Sequence, residues 1–92
     1  MDRLTKKTDS GYYVSADDVE SHRNGYSGEA VAKLAKFENF YDELLKNQEK
    51  TELEMEELRS QGKTNTVKFK QLFANKLNNS QILTTLKYCG LQ

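Results

Sequence analysis

Few side chains in this chain of 92 residues are of the types that do chemistry, and their spacing decides which chemistry is open to them. His22 and Cys89 are each the single member of their kind. A histidine beside a cysteine generates a nucleophilic thiolate when a third group orients the base. Here the two stand far apart in the sequence and no third group accompanies them, so Cys89 reads as a small apolar residue in a last helical turn. One histidine, one cysteine and scattered acids do not supply the clustered spacing of a zinc site. No metal and no cofactor is therefore expected. Gln61-Gly62-Lys63-Thr64 imitates the tail of a phosphate-binding loop. The full motif needs a glycine five residues before Gly62, where Glu57 stands, and a strand in front, where a helical pattern runs. A helix cap is the reading for Gly62. Asn78-Asn79-Ser80 matches a glycosylation sequon, which carries no weight without a secretory signal. With no constellation of catalytic groups, the expectation is a binding protein and not an enzyme.

Binding chemistry is left to charge and to tyrosine. The formal charges cancel over the whole chain but not along it. Residues 1–27 carry four bases and five acids, 28–62 carry five bases and nine acids, and 63–92 carry five lysines and no acid. The acidic run Glu49, Glu52, Glu54, Glu56 and Glu57 reads as a solvated helix face, or as a surface for a basic groove. The basic third offers Lys63, Lys68, Lys70, Lys76 and Lys87 for phosphate contact. Either the acidic middle docks on the basic end, or one of them meets an outside partner. Tyr12, Tyr13 and Tyr26 are the other contact candidates, since tyrosine buries large area and keeps a polar handle.

These residues must be held by a chain long enough for one domain and one modest core. The pattern predicts a mainly α fold: a short extended or β-hairpin arm over 1–27, a long helix over 28–61, and a helical hairpin over 65–90. In the arm, Arg3-Leu4-Thr5 and Tyr12-Tyr13-Val14-Ser15 can pair around a loop at Asp9-Ser10-Gly11, and Asn24-Gly25 is a second turn signal. Ser27 is the expected N-cap, with Tyr26 and Val31 placed for a hydrophobic staple. Glu29 with Lys33 and Asp42 with Lys46 have the favoured helical orientation. Heptads put Leu34, Tyr41, Gln48 and Met55 at one core position and Phe37, Leu44, Thr51 and Leu58 at the other. A helix of that length spans roughly 50 Å, against a radius of gyration of about 12 Å for a compact chain this size. So it either breaks near Asn47 to Thr51 or is covered by a second copy, and self-association through Leu34, Phe37, Tyr41, Leu44, Met55 and Leu58 is the expectation. A second helix starts near Asn65 or Thr66, Asn78-Asn79-Ser80 reads as a turn, and a third helix runs through Ile82, Leu83, Leu86 and Tyr88 to Gly90. Two short helices around such a turn look loosely like a helix-turn-helix, although the second offers a single charge, Lys87, and a plain hairpin is preferred.

There is no apolar run of about 18 residues, so no membrane-spanning helix is expected. The charged opening does not read as a signal peptide and one cysteine cannot form a disulfide within the chain, which together suggest a cytoplasmic, reducing setting.

Arg3-Leu4-Thr5, the patch Gly11-Tyr12-Tyr13, and Lys33-Leu34-Ala35-Lys36-Phe37-Glu38 opening a helix resemble small prophage proteins of low-GC Gram-positive bacteria. The stretch from Gly62-Lys63-Thr64 to Lys76-Leu77 and the ending Lys87-Tyr88-Cys89-Gly90-Leu91 are also similar to such proteins. Many of those carry a cysteine-rich insertion after the tyrosine patch. This chain has none, so no metal site carries over. The resemblance implies a phage or mobile-element origin and a bacterial host cytoplasm, without an assigned activity or functional residues. The function expected on that footing is non-enzymatic interaction with a host protein, such as inhibition of a defence nuclease or another host effector, with a homodimer as a further partner. The alternative is a small DNA-binding regulator using the basic C-terminal third.

Overall fold

The computed structural model describes residues 2–92, so the first residue of the expected arm lies outside it. The chain is mainly helical: four short strands and a 3-10 turn lead into two helices. It divides into two compact units, one ending at Phe40 and one running Tyr41–Gln92. The boundary falls inside the long helix α1, Glu29–Ser60.

The first unit opens with strands β1, Thr5–Thr8, and β2, Gly11–Val14. They pair antiparallel with Thr5 opposite Val14 and Thr8 opposite Gly11. Threonine, tyrosine and valine suit a pleated surface, and Asp9-Ser10 close the turn, so the expected hairpin is present with its first strand placed a few residues later. The Ser15 hydroxyl accepts from the Asp17 N–H at 3.3 Å and caps the 3-10 turn Ala16–Asp18. Strands β3, Glu20–His22, and β4, Gly25–Ser27, make a second hairpin around Arg23-Asn24. The Asn24-Gly25 signal marked the turn, but strands of only three residues are too short to show an alternating pattern.

The helix entry differs from expectation. Ser27 lies in β4 and its hydroxyl is hydrogen-bonded to His22 Nε2 instead of capping α1. The Gly28 carbonyl accepts the first helical bond, from Ala32 N–H at 2.9 Å. Gly28 has φ +123°, and a Cβ there would lie 2.5 Å from the Asp18 carbonyl oxygen. The 3-10 turn therefore crosses so close to residue 28 that only glycine fits, which moves the start of the helix one residue on. Tyr26 is left exposed, so the staple with Val31 does not form. Lys33 donates to the Asp2 carbonyl at 3.2 Å rather than pairing with Glu29.

In the second unit, α1 runs unbroken to Ser60 and α2 spans Val67–Tyr88 as one helix. The hairpin of helices is thus made by α1 and α2; it is not made within 65–90, and there is no turn at Asn78-Asn79-Ser80. The connection is tightly capped. Gly62 has φ +70°, its N–H donates to Arg59 at 3.0 Å, and Lys63 N–H donates to Leu58 at 2.8 Å. These are the two bonds of a Schellman motif. The Thr66 hydroxyl then accepts from Phe69 N–H at 3.2 Å to start α2. Gly90, φ +74°, ends α2 with the same pair of bonds, from Gly90 to Lys87 and from Leu91 to Leu86.

Three contacts fix the antiparallel register. Gln48 Nε2 donates to the Ser80 hydroxyl at 2.7 Å and the Lys76 carbonyl at 3.2 Å. Lys76 Nζ lies 2.7 Å from Glu52. The Arg59 guanidinium sits 5.6 Å from the centre of the Phe69 ring. Counted from these contacts, Tyr41 falls near the level of Leu86, Leu44 near Leu83, Met55 near Leu72 and Leu58 near Phe69, each at heptad core spacing. Leu44, Thr51 and Met55 are the buried side chains among the described residues, with Met55 fully enclosed. The middle layers are polar on both sides: Gln48 and Thr51 on α1 are level with Asn79 and Lys76 on α2.

Candidate functional site

The two β-hairpins carry the tyrosines. Residues alternate across a strand, so Tyr12 shares a face with Lys7, its cross-strand partner, while Tyr13 shares the other with Lys6. Arg3 closes over Tyr12, with its guanidinium carbon 5.8 Å from the ring centre and a 3.2 Å bond to the Thr5 hydroxyl. Tyr26 sits on the second hairpin opposite Ser21. All three rings are exposed, by 64% for Tyr12, 49% for Tyr13 and 68% for Tyr26. Short strands cannot enclose both of their faces, so such rings stay in water unless another surface covers them.

The acidic run is partly consumed inside the hairpin of helices. Glu52 pairs with Lys76 and lies 3.6 Å from Arg59, which also pairs with Glu56 at 2.9 Å. The hydrogen bond from Lys76 holds the Glu52 carboxyl below its ordinary range, helped by the charges of Lys76 and Arg59. Among the described residues Glu49, Glu54 and Glu57 have no ion pair. Internal docking of acid on base is therefore real but limited to one inter-helix pair.

The expected self-association stripe is mostly used within the chain. Leu44 and Met55 are buried and Phe37, Tyr41 and Leu58 are half-buried, so Leu34 is the exposed member. Of the basic residues, Lys68, Lys70, Lys76 and Lys87 all lie on α2, and Lys63 lies in the connection before it. Lys76 is half-buried in its pair with Glu52, while Lys63 and Lys68 line a shallow groove of about 320 Å³ with Glu54 and Glu57. Lys70 and Lys87 are exposed along α2. The helix-turn-helix outline is overturned, because residues 78–80 are mid-helix. The imitation phosphate loop is the Schellman cap at Gly62. His22 is bonded to Ser27 in the first unit, and Cys89 is exposed at the end of α2 in the second. No group of three or more histidine, cysteine or acidic side chains that could hold a metal ion occurs among the described residues.

Reading the sequence missed the pairing of Glu52 with Lys76, the bond from Gln48 to Ser80, and the exposed side chains Leu45 and Phe73 beside the hairpin core. A signal was there: Phe69, Leu72, Lys76, Asn79, Leu83 and Leu86 keep heptad spacing through two polar positions. No described helix is long and apolar enough to cross a membrane. No protein-family model, curated protein or solved structure matches the chain.

Proposed function

We propose that this chain is a non-enzymatic protein-binding module of phage or mobile-element origin that acts by covering a host effector, such as a defence nuclease. The observation that carries the reading is the display of Tyr12, Tyr13 and Tyr26 on two tight β-hairpins, all exposed. Leaving three rings in water has a cost that a partner surface removes, and tyrosine is enriched where interfaces concentrate their binding energy. Glu49, Glu54 and Glu57, which have no ion pair among the described residues, are a secondary contact for a basic partner. The phage origin rests on the resemblance of the Arg3-Leu4-Thr5 arm and the Lys33 to Glu38 segment alone. Capture from a bacterial lysate with nuclease treatment tests the reading. A discrete protein should survive nuclease and be lost when Tyr12, Tyr13 and Tyr26 are all changed to alanine. Capture that the triple change leaves intact would end the tyrosine reading.

A second reading is favoured by one observation: α2 carries four lysines and no acid. In that case nucleic acid binds along α2 itself, weakens steeply with salt through counterion release, and is lost on Lys68→Glu with Lys70→Glu.

A further inference from the structure

We propose that the helical hairpin of the Tyr41–Gln92 unit pairs with a second copy of itself, the lysine-bearing α2 of one copy lying along the glutamate row of the other's α1 and covering Phe73 and Leu77. The inference stands apart from the tyrosine reading, since no residue of the β-hairpins enters it.

The first ground is the placement of apolar side chains. Leu45 follows the core residue Leu44, and Phe73 follows the core position of Leu72. In an antiparallel hairpin these two flanking positions fall on the same side. Leu77, one turn beyond Phe73, extends that side. All three side chains are about half exposed.

The second ground is charge, and it selects the occupant. Within residues 41–60, α1 has seven acids against three bases. On the exposed side its row reads Leu45, Glu49, Glu52, Glu56 at helical spacing; Glu52 and Glu56 are already paired with Lys76 and Arg59 of the same hairpin, and Glu49 is the member with no ion pair among the described residues. On α2 the matching row is Lys70, Phe73, Leu77, and Lys70 likewise has no described ion pair. A two-fold axis turns the same face on itself, so each basic row can lie on an acidic row, twice. Setting α1 against α1 would oppose glutamates. An outside protein would have to bring a basic amphipathic helix of the kind that a second copy already carries.

Sedimentation of the full chain at low and high salt tests this. The wild type should be a dimer whose dissociation constant rises with salt. Phe73→Ser with Leu77→Ser should raise that constant at least about tenfold while circular dichroism stays helical, because both side chains lie outside the buried core. Charge reversal gives the second test. Glu49→Lys with Glu56→Lys in one copy, and Lys70→Glu with Lys87→Glu in another, should each be monomeric alone and form a heterodimer when mixed. A wild type that is strictly monomeric at about 1 mM, or a dimer indifferent to these changes, overturns the proposal.

Discussion

Glu52 shows what a single residue contributes once the register is set. It accepts a 2.7 Å hydrogen bond from Lys76, with Arg59 on its other oxygen at 3.6 Å. Its carboxyl titrates below the ordinary value of 4.5, chiefly because of that hydrogen bond, with some desolvation working the other way. A carboxyl whose pKa is depressed on folding stabilises the fold fully above its unfolded pKa, and that contribution is lost as pH falls through the lower folded value. The pair is only half-buried and reached by solvent, so the effect is small. Thermal melts of the wild type should therefore fall in midpoint more steeply than those of Glu52→Gln as pH drops from about 5 to 3. Parallel slopes for the two would mean that the pair contributes nothing. Composition singled out the acidic run but not this member of it. Which glutamate meets a lysine depends on the level at which two separate helices face each other, and that is not a local property of either segment.

At the scale of the element, α1 was legible and α2 was not. The stripe on α1 is apolar at both ends, so its heptads survive two polar positions at Gln48 and Thr51. On α2 the corresponding interruption is Lys76 and Asn79, and Asn78-Asn79-Ser80 has the composition of a turn. Asparagine and serine weaken helices mainly by offering local alternatives to helical hydrogen bonds. Here tertiary structure removes the alternative: the Ser80 hydroxyl accepts from Gln48, whose amide also reaches the Lys76 carbonyl. The two polar interruptions are one feature, a matched layer in the middle of an antiparallel pair. Gln48 Oε1 in that layer is buried without a partner in the described chain. An unsatisfied buried acceptor costs stability, while a polar residue at a core position specifies register. Gln48→Leu should accordingly raise unfolding stability by about 1 kcal/mol. The same change should broaden the register, visible as more than one set of amide resonances for α2. A destabilised Gln48→Leu with a single set of resonances would show that the bond to Ser80 outweighs the orphaned oxygen.

Across the whole molecule, the two units differ in how much they enclose. Leu44, Thr51 and Met55, the buried side chains among the described residues, all belong to the Tyr41–Gln92 unit. The strands of the other unit are four and three residues long, and apart from Val14 and Ser27 their residues are exposed. The arm was legible as turn chemistry at Asp9-Ser10-Gly11 and Asn24-Gly25, and its tyrosines were legible as residue types. Their exposure follows from strands too short to form a second layer, which composition does not reveal. Two-stranded hairpins are marginal on their own, whereas local opening free energies rise toward the global value where side chains are enclosed. Hydrogen exchange should then divide the chain. Amides from Thr51 to Met55, flanked by the buried side chains, should be protected at least about 100-fold more than those of Tyr12 and Tyr13. The β-hairpin amides should gain protection only when a partner covers the tyrosines, because binding to the folded form alone adds its free energy to every opening it forbids. Equal protection in the two units without a partner would mean that the arm opens only with the helices, and the display of tyrosine would then belong to the rigid part of the fold.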